Sequence, residues 1–381
     1  MNNDLVSLVK NRFRKSFGNE DILVFSPGRI NLIGEHTDYN NGYVFPAAID
    51  KGIIMALGKS NTNRSTIISV DMNDRLELFL KDLKRIEANT WKNYIIGVIA
   101  EIQKKRGTLL NFNCVFAGDI PVGSGLSSSA ALENALVFGC NTLFNLKFDK
   151  MELIHISQKA EHNFVGVNCG IMDQFASMFG EADKALFLDC KTLQSESVAV
   201  NMDEFEIILI NSNVKHALAE SAYNDRYAVC QKLIKLLNKT SLREVSYEEL
   251  DTIKTKISEP DYRKGLYVLQ ENDRVLQCRE ALEDNNMKKV GAFLFQSHKG
   301  QSEMYEISCD ELDFLVNEAK LNDAVIGARM MGGGFGGCTI NLVTKNGSEY
   351  FQKKIAVSYK KQFKKDCSIY KVKLSDGTRL I

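Results

Sequence analysis

The chain predicts an α+β fold in two domains, on three observations. With 381 residues, 44% of them hydrophobic, it can bury more than one core. Strand-like and helical runs are mixed in both halves, without the steady βαβ alternation of a doubly wound parallel sheet. Near residue 200 the pattern changes from short β-rich runs and buried helices to long, charged, amphipathic helices. With no repeat, low-complexity tract or proline-rich linker to mark a boundary, that change sets the expected domains at 1–200 and 201–381.

Asp4 to Phe17 reads as a helix, with Leu5, Leu8, Val9 and Phe13 on one face and Gly18 as its stop. Strands are expected at Ile22–Phe25, Ile53–Leu57, Thr66–Val70 and Leu76–Leu80, where β-formers cluster. Tyr94 to Lys104 is helical in pattern and Phe112–Phe116 returns to strand. Ser127 to Phe144 reads as an apolar, buried helix, followed by helices at Met151 to Phe164 and Met172 to Phe179. Ala185–Leu188 is strand-like, and Phe205–Ile210 has the unbroken apolar run of a central strand. Helices are expected at Ala217 to Leu237, Tyr262 to Glu283, Lys288 to Gln301 and Asp310–Lys320. Strands Ala324–Arg329 and Cys338–Val343 flank a glycine loop, and a helix at Gly347–Phe363 and a strand at Ser368–Val372 complete the pattern.

Composition excludes several classes. Forty-eight basic and 48 acidic residues cancel, so no global field favours nucleic acid or an anionic membrane. The longest apolar runs, such as Tyr94 to Ala100, are too short to span a bilayer, and Met1 to Asp4 opens no signal-peptide h-region. Nine scattered cysteines with no CxxC pair read as reduced thiols in a cytoplasmic protein. Five histidines without HExxH argue against zinc.

Three stretches carry chemistry. Gly28-Arg29-Ile30-Asn31-Leu32-Ile33-Gly34-Glu35-His36-Thr37-Asp38-Tyr39 packs Arg29, Glu35, His36 and Asp38 into ten residues that neither a 3.6 nor a 2.0 period sorts onto one face. A packed loop is expected, aiming two carboxylates, an imidazole and a guanidinium into one volume. That inventory suits a hydroxyl-rich ligand, although a solvated, salt-bridged turn fits the same residues.

The second stretch, Gly118 to Glu133, includes Gly123-Ser124-Gly125-Leu126-Ser127-Ser128-Ser129 at the start of the apolar helix. Glycines allow close approach, and the unpaired N–H groups and positive dipole end of the helix face the loop, an arrangement that cradles phosphate. A hydroxyl there can ligate Mg²⁺. A serine N-cap alone would account for one of the three serines. No GxxxxGK[ST] occurs. The GxGxxG at Gly332 to Gly337 leads into strand-like Cys338–Val343 instead of a helix, so it is no dinucleotide fingerprint, and its five glycines suit a turn pressed against a ligand or the first domain. The third stretch places a lone acid, Asp173, in an apolar helical start, twelve residues after Glu161. Each has an ordinary reading, as a dipole-stabilised helix acid and a surface glutamate.

Together these stretches resemble the GHMP small-molecule kinases, and the Glu35-His36-Thr37-Asp38 element resembles their galactose branch. The resemblance runs from about residue 20 to the C-terminus and includes Trp91-Lys92-Asn93-Tyr94 and Ser221-Ala222-Tyr223-Asn224. It departs at Lys299 to Glu303, where many relatives are more basic. It implies a two-domain GHMP fold, with an N-terminal domain like the second domain of ribosomal protein S5 and a ferredoxin-like C-terminal domain. The active site would lie in the cleft between them. It also implies transfer of the ATP γ-phosphoryl group to O1 of α-D-galactose by a cytoplasmic enzyme, expected to be a monomer.

Glu35, His36, Thr37, Asp38, Gly170 and Tyr223 would hold the sugar, the loop from Gly123 through Ser124, Gly125, Leu126, Ser127 and Ser128 to Ser129 would wrap the phosphates, and Trp91 would flank adenine. Ser129 and Glu161 would complete the Mg²⁺ shell. Asp173 would accept the hydroxyl proton, with Arg29 stabilising charge in transfer. A guanidinium beside Asp173 makes it a weaker base, so Asp173 is expected mainly to orient the hydroxyl. A kinase for N-acetylgalactosamine or mevalonate, or a non-catalytic sugar sensor, stays open on these residues.

Overall fold

The structure is a computed structural model and describes residues 2–87, 90–121, 123–167, 169–214 and 219–381, with the side chains of 219–221 excepted. Helix α1 (Asn3–Phe17) starts at Asn2, whose side chain accepts from the Leu5 N–H, and ends at Gly18 with φ +89°, the stop its sequence predicts. Strands β1 (Ile22–Asn31), β2 (Tyr43–Val44), β3 (Pro46–Lys59), β4 (Ser65–Ser69) and β5 (Asp74–Leu78) follow, then α2 (Trp91–Arg106) and β6 (Phe112–Gly118). Three helices come next, α3 (Ser128–Leu143), α4 (Lys150–Ala160) and α5 (Met172–Phe179), then β7 (Lys184–Asp189), β8 (Gln194–Ala199) and β9 (Phe205–Asn211). The second half continues with α6 (Ala219–Leu237), α7 (Tyr247–Thr252), α8 (Glu259–Glu283), α9 (Met287–Glu303) and α10 (Asp310–Lys320). It closes with β10 (Val325–Met330), β11 (Cys338–Thr344), α11 (Lys345–Phe363), β12 (Ser368–Val372) and β13 (Arg379–Leu380). The first residues of the helix expected from Ala217 lie outside the described residues.

The α+β expectation holds. A six-stranded sheet, ordered β13-β1-β3-β6-β4-β5, is antiparallel except where β4 runs parallel to β6. Alternation of side chains splits its two faces. Leu23, Phe25, Ile54 and Ala56 pack beneath Val9 and Phe13 of α1. Val24, Met55, Leu57 and Phe116 enter the main core with α2 to α5. The second half carries a four-stranded antiparallel sheet, β10-β11-β9-β12, with β9 in its interior as its apolar run predicts. The main core crosses between halves, joining Val44, Phe45 and Leu188 to Val275, Cys278 and Leu294. No described helix is long and apolar enough to cross a membrane.

Three departures from the sequence expectations bear on function. The packed loop expected from Gly28 begins only after Asn31, because β1 runs on through Pro27 with a register shift between Pro27 and Arg29. Such a bulge re-aims the side chains that follow it. The helix expected over Met151 to Phe164 stops being α-helical at Ala160 and widens into a π turn at Glu161–Val165, where a local insertion commonly serves a site. Finally, the chain end returns to the first sheet, where Leu380 pairs with Val24. Two residues of strand carry too little pattern to be read in advance.

Candidate active site

Arg29 follows the β1 bulge, and Gly28 before it is held against the serine loop. A Cβ on Gly28 would stand 2.7 Å from the Leu126 carbonyl oxygen, and the Arg29 N–H donates to that same oxygen at 3.1 Å. The buried Arg29 guanidinium forks onto Asp173, with Nε to Oδ1 at 2.7 Å and Nη2 to Oδ2 at 2.9 Å. Its remaining Nη1 donates to the Gly125 carbonyl at 2.5 Å. Facing Asp173 raises the affinity of this guanidinium for its proton despite the opposing effect of burial. One arginine thus ties strand, serine loop and the start of α5.

A cavity of about 310 Å³ opens beside this pair, lined by Glu35, His36, Asp38, Gly170 and Tyr223 together with Ser129 and Glu161. Gly170 is required there, because an added Cβ would lie 1.9 Å from Asp38 Oδ2. Burial, then the neighbouring Asp173 and Glu35, push Asp38 up to about 7. Burial pushes His36 down to about 4, so its ring is neutral at physiological pH. His36 takes φ +63°, donates from Nε2 to the Gly333 carbonyl at 3.2 Å and accepts at Nδ1 from the Tyr39 hydroxyl at 2.7 Å. The tautomer follows from the partners: only the ring can donate to a carbonyl. Tyr39 in turn bonds Tyr305 at 2.8 Å, and Tyr305 meets Cys230.

A second cavity, of about 250 Å³, is lined by Met72, Trp91, Phe116, Ile120 and Ser128. Trp91 donates its indole N–H to Asp74 at 3.1 Å and meets Phe116 edge-on. Ser129 and Tyr94 line both cavities, so the two meet at the start of α3. A wider groove of about 940 Å³, between Ala199–Ile207 and Lys371–Leu374, holds none of the predicted residues.

Two predicted positions behave differently from expectation. Thr37 does not line the sugar-sized cavity: it is fully buried, and its hydroxyl is turned to the Gly34 and Tyr43 carbonyls, at 2.9 and 2.6 Å, because the loop needs its own backbone satisfied. Ser127 does not cap α3 through its side chain; its hydroxyl donates to Asp173 Oδ2 at 2.5 Å.

Sequence reasoning passed over Arg329. This fully buried guanidinium on β10 donates to Glu35 Oε1 at 3.1 Å, to the Leu32 and Met330 carbonyls at 2.6 and 2.7 Å, and to the Asn31 carbonyl. The Gly332 N–H reaches the same Glu35 oxygen at 2.8 Å. Glu271 on α8 was equally unmarked; it accepts from the Gly34 N–H at 3.0 Å and the Ser297 hydroxyl at 2.6 Å. A charged residue within an apolar strand, as Arg329 is, was the available signal.

Deeper still, Glu161 accepts from Cys169 Sγ at 2.7 Å and Gln174 Nε2 at 3.2 Å. Burial raises Glu161, and burial with Glu161 close by raises Glu133 well above the carboxylate range. Glu133 Oε1 is buried without a partner among the described residues. Such a cluster of acids suits a cation. Among the described residues no three or more His, Cys, Asp or Glu side chains form a metal cage. A Mg²⁺ ion needs only one or two protein oxygens when phosphates and water supply the rest, and Ser129 and Glu161 on one cavity wall fit that demand.

Residues 11–59 match the galactokinase galactose-binding signature, 93–181 the GHMP kinases N terminal domain, and 278–356 the GHMP kinases C terminal region. The galactokinase of Thermosipho africanus is 42% identical over 359 residues, covering 94% of this chain and 99% of that protein. The chain belongs to the galactokinases, a branch of the GHMP kinases. As a galactokinase it is an ATP-dependent sugar kinase. The Clostridium tetani galactokinase is 40% identical over 384 residues, covering 99% of this chain and 98% of its own. The crystal structure of Lactococcus lactis galactokinase complexed with galactose superposes with a TM-score of 0.94 at 36% identity, covering 99% of this chain and all of that one. A Methanococcus jannaschii mevalonate kinase, at 17% identity and a TM-score of 0.66, shares the galactokinase fold alone.

Proposed function

We propose that this chain transfers the γ-phosphoryl group of ATP to O1 of α-D-galactose, giving α-D-galactose 1-phosphate and ADP. The observation that carries the reading is the pair of cavities meeting at Ser129, with the Arg29–Asp173 fork on the wall of one and Trp91 on the wall of the other. The galactose seen in the Lactococcus lactis relative supports a sugar in the first cavity. All site residues come from one chain, so a monomer suffices. Nine free cysteines suit a cytoplasmic enzyme. The division into residues 1–200 and 201–381 stands as our proposal for its two domains.

In this reading Asp38 and Tyr223 hold sugar hydroxyls, and Gly170 gives Asp38 its room. Glu35 Oε1 already holds Arg329 and Gly332, so its sugar contact falls to Oε2. His36 has both nitrogens engaged by the protein and serves as a wall, with its ring near Tyr223. The backbone N–H groups of Gly123 to Ser129 and the start of α3 cradle the phosphates, and Trp91 borders the base. Ser129 and Glu161 would hold Mg²⁺, which when bound neutralises charge on the phosphates.

Asp173 orients the O1 hydroxyl. Its two oxygens already accept three hydrogen bonds, which fix the orientation of the carboxylate. A loose phosphoryl-transfer transition state needs little early deprotonation, so Asp173 takes the proton late. Arg29 stabilises charge as the phosphoryl group moves. The test is ADP release at saturating Mg-ATP with galactose, glucose, N-acetylgalactosamine or mevalonate as acceptor. Galactose is expected to give turnover. Turnover on N-acetylgalactosamine or mevalonate but not on galactose, or no sugar-dependent ADP at all, would overturn the proposal.

A further inference from the structure

Ser127 stands in a conformation that its own helix does not explain. It occupies the N-cap position of α3 with φ +54° and ψ +54°, a left-handed backbone uncommon for a residue with a Cβ. A serine at this position ordinarily uses its hydroxyl to satisfy an N–H of the first turn, and here no such bond is made. The hydroxyl is turned instead to Asp173 Oδ2 at 2.5 Å, bridging 46 positions of sequence. Strain of this kind persists where surrounding contacts hold it, and it gathers at functional sites.

Two further contacts lie along the same line. The Gly125 carbonyl, two residues earlier, accepts from Arg29 Nη1 at 2.5 Å, and Arg29 forks onto Asp173. The Leu126 carbonyl accepts the Arg29 N–H. Three successive residues of the phosphate loop are thus bonded to the pair that faces the sugar, and Ser127 alone among them does so through a side chain.

We propose that the Ser127 hydroxyl is a positioning group for the acceptor side of the reaction, locking the Asp173 carboxylate to the phosphate loop, and is not a ligand of the phosphates. The inference rests on the reading of Asp173 as the group that orients the sugar hydroxyl. Its physical content is registry. The loop that carries the donor phosphates and the carboxylate that aims the acceptor are held at a fixed spacing, and misplacement by about 1 Å can cost about 100-fold in rate.

The test uses Ser127→Gly, which keeps the left-handed backbone free of strain, and Ser127→Ala, which does not, each assayed by ³²P transfer from γ-labelled ATP to galactose. Both variants are expected to lose about tenfold or more in kcat while KM for ATP and galactose stays within about threefold. Adding Ser127→Gly to Asp173→Asn is expected to cost nothing further, because the two groups act as one unit. Wild-type kcat in Ser127→Gly would overturn the inference, as would a loss confined to KM for ATP or losses that multiply in the double variant. Near-normal kcat in Asp173→Asn would instead remove the reading of Asp173 on which it rests. An inactive Asp173→Asn beside an unimpaired Ser127→Gly would remove the Ser127 role alone.

Discussion

Replacing Gly170 with alanine adds one methyl group, and the structure fixes where it must go. The new Cβ would stand 1.9 Å from Asp38 Oδ2, 2.4 Å from its Cγ and 2.9 Å from its Cβ, whereas real Cβ contacts essentially never fall under 3.0 Å. Asp38 must therefore retreat by about 1 Å, the difference between 1.9 and 3.0 Å. It is half-buried and borders the 310 Å³ cavity, so a retreat takes room or alignment from the sugar. A shift of that size should lower kcat/KM for galactose about 100-fold, equivalent to about 2.7 kcal/mol of transition-state stabilisation. Gly170 does not line the Trp91 cavity, so KM for ATP should hold within about twofold. Gly333→Ala is the internal control. It lines the same cavity, but among the described residues its added Cβ would meet only Tyr223, at 3.5 Å, an ordinary contact, and it should cost less than about threefold. Initial rates of ADP release against galactose concentration decide the matter. A folded Gly170→Ala enzyme with unchanged kcat/KM, or a Gly333→Ala enzyme equally damaged, would refute the argument.

Other perturbations test other parts of the site. Arg29→Lys keeps the charge but loses the fork onto both Asp173 oxygens, and kcat should fall about 100-fold; full activity would deny Arg29 its clamp. Arg329→Met strands Glu35 and three carbonyls in the interior, so urea unfolding should show about 3–5 kcal/mol lost, with part recovered when Glu35→Gln is added. A loss below about 1 kcal/mol would show that this pair does not hold the halves together. For pH, Asp38 is pushed up to about 7, so between about pH 4 and 7 the folded state keeps a proton the unfolded chain releases, and stability falls as pH rises. His36, pushed down to about 4, does the reverse between about 4 and 6.5, so Asp38→Asn should tilt the Tm profile upward with pH there and His36→Gln should tilt it downward. Parallel profiles for all three proteins would contradict the assignment.

The readable parts of this protein are those in which chemistry and spacing are local. The serine loop at the start of α3 announces itself because glycine freedom, three hydroxyls and a helix start are adjacent in sequence. The segment from Arg29 to Asp38 announces itself by crowding unlike polar groups where no period places them. What spacing could not reveal is who answers those groups. Glu35 and Arg329 lie 294 positions apart, and Gly34 and Glu271 lie 237 apart. The same blindness explains the loop that proved to be strand. Gly28 and Pro27 look like breakers, yet β3 pairs with β1 on both sides of the shift and carries the strand through.

Thr37 and Ser127 show a finer limit. Both are hydroxyls in ligand-rich motifs, and a motif cannot say whether a hydroxyl serves the ligand or the frame. Thr37 is spent on two carbonyls of its own loop, and Ser127 on a carboxylate carried by another helix. A buried polar group must be satisfied before it can be offered to a substrate, so the residues nearest in sequence to a binding motif are often the ones that hold its backbone in place. In this chain the groups left to bind are those whose partners run out. Burial, then like charges, push Asp38 up to about 7, Glu35 has one oxygen committed, and burial raises Glu161. That shortage of partners, which no count of residues displays, is what separates the sugar and phosphate contacts from their scaffolding.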